Sequence, residues 1–174
     1  MEKKRMLSRA FAVLLGGLLS IPASAAIVNL TATIDGAQAN AGAGTGSPGT
    51  GSATMTLDDA TNLFSWNISW SGLNGTETVM HFHGPALPNQ NAGVQVNFGA
   101  ISGTSSPSIG STTITDLQET DLLAGLWYIN IHTDLFPGGE IRGQVGVVPV
   151  PAAALLFLSG LAGLGWIGRR SRQE

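Results

Sequence analysis

The chain has 174 residues, no cysteine and a formal net charge of −3 at neutral pH. Its basic residues are gathered at the ends, as Lys3, Lys4, Arg5 and Arg9 and as Arg169, Arg170 and Arg172. Between them stands only Arg142, against Asp35, Asp58, Asp59, Glu77, Asp116, Glu119, Asp121, Asp134 and Glu140. A body this acidic is repelled by phosphate backbones, which excludes nucleic acid as a partner. The missing cysteines exclude a disulfide framework and any thiolate metal site.

Residues 1–25 read as a secretory signal peptide. A basic start precedes the apolar run Ala10–Leu19, and Ala23-Ser24-Ala25 supplies the small residues, Ala23 and Ala25, that signal peptidase requires before its cut. A membrane anchor is the alternative reading, but this run is shorter than the ~20 residues a span needs. The folded body is then expected over residues 26–147, one domain of ordinary size.

Within the body the hydrophobic period is two. Ile27–Asp35 reads as a first strand, Gly36–Ser52 as a Gly/Ala/Ser/Thr-rich loop, and Ala53–Leu57 as a strand running into the turn Asp58–Asn62. The clearest strand is Leu63–Ser71. There Phe64, Trp66, Ile68 and Trp70 alternate with Ser65, Asn67, Ser69 and Ser71, the pattern of a strand buried on one side. The tryptophans are expected in the core, with stacking on sugar as the competing reading. Further strands are expected at Thr78–His83, Gly93–Phe98, Ser111–Ile114, Leu126–His132 and Glu140–Val147. One helix is expected at Asp116–Ala124, with Asp116 and Glu119 as a capping box and Gly125 as its stop. The fold class is all-β, an antiparallel sandwich or partly open barrel.

Residues 148–174 form a separate unit. Val148-Pro149-Val150-Pro151 precedes the uncharged run Ala152–Gly168, then Arg169, Arg170 and Arg172. Such a run, read as a helix, reaches ~26 Å at ~1.5 Å per residue, close to the ~30 Å of a hydrocarbon core. A transmembrane helix is expected, with its arginines in the cytoplasm and the body outside. This three-part pattern resembles the PEP-CTERM sorting signal of exopolysaccharide-producing Gram-negative bacteria. Val150 stands where the name-giving form has Glu, so the Val-Pro-Leu-Pro-Ala type is the nearer likeness. The resemblance implies handling by an exosortase-type membrane protease. The body, at first anchored in the inner membrane, would end at the cell surface or in the extracellular matrix.

All three histidines lie in two segments of the body. In a strand, residues two apart share a face, ~6.6 Å apart, so His81 and His83 point one way and Met80 and Phe82 the other. In the second segment Tyr128, Asn130 and His132 alternate with Trp127, Ile129 and Ile131; Glu140, Arg142 and Gln144 alternate with Ile141, Gly143 and Val145. A symmetric hairpin sets His132 opposite Glu140, Asn130 opposite Arg142 and Tyr128 opposite Gln144. A slip of one residue would bury half the charges, so the pattern selects this register. Two readings of the histidines are open. One is a site for a single copper or zinc ion from His81, His83 and His132, with Glu140 or Asp134 as carboxylate ligand or support. The other is a hydrogen-bonded cluster that fixes strand pairing. Arg142, beside Glu140 and Asp134, is expected as an ion pair, with ligand binding as its alternative.

The blocks His81-Phe82-His83-Gly84-Pro85-Ala86, Tyr128-Ile129-Asn130-Ile131-His132-Thr133 and Pro137-Gly138-Gly139-Glu140-Ile141-Arg142-Gly143-Gln144 resemble the signature of the CHRD domain, a module named from chordin. The likeness spans roughly residues 32–147. It implies an immunoglobulin-like or Cu,Zn superoxide dismutase-like β-barrel in an extracellular setting. Dismutation itself is not expected, because those enzymes use a larger histidine set than the three present here. No Ser-His-Asp triad or paired-carboxylate arrangement stands out. The expectation is therefore a non-catalytic exported protein with structural or binding work, its partners being signal peptidase, an exosortase and matrix polysaccharide. A metal-binding or redox protein is the alternative.

Overall fold

The structure is a computed structural model that describes residues 26–149. The signal segment, with Ala23 and Ala25, and the C-terminal segment from Val150, with Pro151 and the expected membrane helix and arginines, lie outside the described residues. No helix among the described residues is long and apolar enough to cross a membrane.

Among the described residues nine strands make one antiparallel sheet: β1 (Ile27–Asp35), β2 (Thr50–Asp58), β3 (Leu63–Ser71), β4 (Glu77–His83), β5 (Val94–Val96), β6 (Ser108–Thr113), β7 (Tyr128–Thr133), β8 (Ile141–Gln144) and β9 (Gly146–Val147). Their order is β5-β4-β7-β8-β1-β2-β3-β6, with β9 also paired to β1. The first three strands pair residue for residue, Leu30 with Met55 and Met55 with Trp66. Their inward residues, Leu30, Ala32, Ile34, Met55, Leu57, Phe64, Trp66, Ile68 and Trp70, are buried. Both tryptophans of β3 thus serve the core, and neither is open to a sugar.

The sheet curls until β3 meets β4 across the interior. Phe64 packs edge-on against Phe82 at 5.0 Å between centroids, and Phe82 also touches Trp66, Phe98 and Trp127. Tilted and edge-to-face contacts of this kind favour aromatic quadrupoles and fill volume without voids. The curl leaves β5 and β6 as edges, with the helix α1 (Phe98–Ser102) packed against β4 and β6.

Several expectations shift locally: β2 begins at Thr50 rather than Ala53, β6 spans Ser108–Thr113 rather than Ser111–Ile114, and the last expected strand, Glu140–Val147, divides into β8 and β9. The strand expected over Gly93–Phe98 stops at Val96, because the Asn97 side chain accepts from the Ala100 amide at 3.0 Å and caps α1. The second helix, α2 (Asp116–Leu123), begins at Asp116 as expected but is capped by Thr115 rather than by Asp116. Thr115 and Gln118 form the capping box: the Gln118 amide donates to Thr115 Oγ1 at 3.3 Å, and the Thr115 amide donates to Gln118 Oε1 at 2.9 Å. Gly125 follows with φ +73°, the left-handed stop expected of it.

Candidate functional site

β4, β7 and β8 lie side by side. Tyr128 pairs with His83 and Gln144, and Asn130 pairs with His81 and Arg142. Two of the three expected hairpin pairs are therefore present, and the strand period carries His81, His83, Asn130, His132, Arg142 and Tyr128 to one face. Met80, Phe82, Ile129 and Ile131 fill the other, fully buried.

The three imidazoles converge. Ring centroids are 5.1 Å apart for His81 and His132, 5.2 Å for His81 and His83, and 5.8 Å for His83 and His132. One ring nitrogen from each lies within 4.8 Å of the others, a grouping able to hold a metal ion. Carbonyls decide two of the tautomers. His83 Nδ1 lies 3.0 Å from the Ala92 carbonyl and His132 Nδ1 lies 2.9 Å from the Pro137 carbonyl. A carbonyl only accepts, so both Nδ1 atoms carry hydrogen and both Nε2 atoms keep a lone pair. His132 Nε2 meets His81 Nδ1 at 3.3 Å and the Asn130 amide nitrogen at 3.3 Å.

All three rings are held neutral. Burial, then the neighbouring His132 and His83, pushes His81 down to about 4. Burial is also the main cause that lowers His83, outweighing the Ala92 carbonyl, with His132 adding to the fall. His132 is lowered by burial against the opposing effect of the Pro137 carbonyl. At neutral pH the cluster presents uncharged lone pairs.

Glu140 does not join them. It sits just before β8, outside the ladder, where the strand period no longer dictates its side. It turns toward Thr133 rather than His132. Its carboxylate accepts from Ser47 Oγ at 2.6 Å, the Asn74 amide at 2.6 Å, the Gly75 amide at 3.1 Å and Thr133 Oγ1 at 2.8 Å. The side chain is 0 % exposed. Burial alone would raise its pKa, but these donors bring it below the ordinary value. Glu140 ties the approach to β2, the β3–β4 turn and β7 together. Gly139 before it has φ +111°, and a Cβ there would collide with the Asn130 amide. Asp134 is also elsewhere: it is exposed, and its Oδ1 accepts from the Thr76 amide at 2.7 Å.

Arg142 forms no ion pair with either carboxylate. Only 2 % exposed, it donates from Nη1 to the Gln90 carbonyl at 2.8 Å and from Nη2 to the Leu87 carbonyl at 3.2 Å and Gln144 Oε1 at 3.2 Å. Its planar fork spans acceptors that a single ammonium cannot reach together. Gln144 donates to the Ala86 and Gly125 carbonyls at 2.9 Å and 2.8 Å, and the Ala92 amide donates to Tyr128 Oη at 3.2 Å. Arg142, Gln144 and Tyr128 thus fasten the loop Gly84–Gly93 over the hairpin. Sequence reasoning missed this loop because its acceptors are main-chain carbonyls, which carry no side-chain signature.

No curated protein and no solved structure matches the chain. The family model of the CHRD domain matches residues 30–145, which takes in the sheet from Leu30 in β1 to the end of β8, the histidine cluster and both buried charges. The chain belongs to the CHRD domain family.

Proposed function

We propose that this chain is an exported, non-catalytic CHRD module of a Gram-negative bacterium, delivered to the cell surface or the exopolysaccharide matrix for structural or binding work. One observation carries the reading: the CHRD match at residues 30–145 occupies the body between two terminal segments with the composition of addressing signals. A CHRD domain suggests a non-enzymatic module of extracellular type. The curled antiparallel sheet agrees with the immunoglobulin-like or superoxide dismutase-like barrel that the resemblance implies. In the same spirit, Glu140 and Arg142 are spent on fixing loops, with every hydrogen-bond partner a main-chain, hydroxyl or amide group.

Export begins at the signal peptide, with signal peptidase cutting after Ala25. The Pro149–Pro151 motif, the apolar run and the terminal arginines then hold the chain in the inner membrane for an exosortase-type protease. Cell fractionation tests this. The full chain is expected at the surface or in the medium, the chain lacking residues 1–25 in the cytoplasm. A variant with Arg169, Arg170 and Arg172 changed to alanine is expected to be mis-sorted. Full-length chain found only in the cytoplasm would overturn the proposal.

A further inference from the structure

We infer that His81, His83 and His132 form a binding site for one late first-row transition ion, copper(II) or zinc, ligated through His81 Nδ1, His83 Nε2 and His132 Nε2. The inference does not depend on where the protein is delivered.

The spacing fits. Two imidazole nitrogens each ~2.05 Å from one tetrahedral ion stand ~3.3 Å apart, and His81 Nδ1 and His132 Nε2 are 3.3 Å apart. The third ring is near enough that side-chain rotation completes the set, since the three ligand atoms lie within 4.8 Å of one another. His81 is the least buried of the three and has the most freedom to turn.

A second observation is independent of that spacing. His83 Nε2 is buried and has no hydrogen-bond partner. Interiors seldom leave a polar atom unpaired, and this nitrogen carries the only lone pair its ring can offer, because Nδ1 is tied to Ala92. An ion is a partner that such a nitrogen can take. The two carbonyl-bound Nδ1–H groups are also what orients a metal-ligating imidazole and raises its basicity.

The ligand set selects the ion. Both carboxylates once available nearby are engaged elsewhere, Glu140 by four donors and Asp134 by Thr76. Three neutral nitrogens without an oxygen or a thiolate suit copper and zinc, with copper the tighter of the two, and reject magnesium and calcium. Loading the site needs two small changes. Asn130 gives up its bond to His132 Nε2 and keeps the Gly138 carbonyl, 3.1 Å away. His81 moves its ring proton from Nδ1 to Nε2 through solvent and so ligates as a neutral ring.

The test is calorimetric titration of the full-length chain, stripped with chelator and dialysed, with copper(II), zinc or magnesium chloride in separate runs. One copper or zinc per chain is expected, with a raised melting temperature and no response to magnesium. His81→Ala and His132→Ala should each weaken binding at least tenfold. If His132→Ala does not fold, His81→Ala and imidazole nitrogen NMR of the unaltered chain decide, with zinc expected to shift the Nε2 resonances of His83 and His132. Absence of saturable binding near one ion per chain would overturn the inference and leave a hydrogen-bonded cluster. So would affinity unchanged in His81→Ala, or Nε2 resonances that zinc does not move.

Discussion

The guanidinium carbon of Arg142 lies 3.5 Å from the centroid of the Tyr128 ring, and the two side chains together fasten the loop Gly84–Gly93 to the sheet. A buried cation without a carboxylate beside it costs desolvation, and burial lowers the Arg142 pKa accordingly, with Tyr128 opposing. The cation–π contact and the carbonyls of Leu87 and Gln90 offset that cost. Arg142→Lys keeps the charge but loses the fork, so it should destabilise the protein by about 2 kcal/mol or more. Urea unfolding checks this. A change below about 0.5 kcal/mol, the range of ordinary surface substitutions, would show that the loop does not depend on the fork.

Glu140→Gln preserves volume but replaces one accepting oxygen with an NH2 that faces donors. A loss of about 2–3 kcal/mol is expected, since bonds to a charged group are involved and a donor is left unmatched. The folded pKa of Glu140 lies below its unfolded value of about 4.5. Its stabilisation is therefore present above that value and lost as pH falls through the lower folded one. The variant should show a shallower acid-unfolding profile below pH 4.5 than the native chain, by circular dichroism.

The histidines act in a higher window and are best read in chelator. Folded pKa values lie below 6.5, about 4 for His81, so the unfolded chain binds more protons between those limits. Stability should be constant above pH 6.5 with respect to these rings and fall as pH drops toward 4. One pH unit of depression corresponds to about 1.4 kcal/mol in a dry site, and solvent at the open side of His81 reduces its share well below that. Melting temperatures from pH 7.5 to 4.5 measure the slope. His81→Asn should flatten it; a slope identical to the native one would remove His81 from the account.

Phe82→Ala should cost about 3–5 kcal/mol, as for other buried aromatics. The ring is fully buried and touches Phe64, Trp66, Phe98 and Trp127. Its removal leaves a cavity where β4 packs on β3 across the interior. Denaturant unfolding gives the number, and near-ultraviolet dichroism of the tryptophans should weaken with it.

Alternation was enough to read β3, residue for residue, and to set Tyr128 against Gln144 and Asn130 against Arg142. Each depends on a period of two acting between neighbours in sequence, and a one-residue slip would put polar groups in the core. The capping pair was displaced by one residue because Thr115 and Gln118 offer the same capping chemistry as Asp116 and Glu119, and only the backbone chooses between them. Asn97 in front of α1 was a legible cap that the apolar run around it concealed.

The sequence alone determined that the body is β-structured, that His81 and His83 share a side, and that Tyr128 and Asn130 stand opposite Gln144 and Arg142. Tertiary structure decided the rest: that β4 lies beside β7, which brings His132 to the other two rings, and that Glu140 and Arg142 part company. The reason is physical. Strand periodicity fixes the side a residue takes within its own strand, whereas Glu140 stands outside the ladder and Arg142 answers to carbonyls more than fifty residues away in the chain.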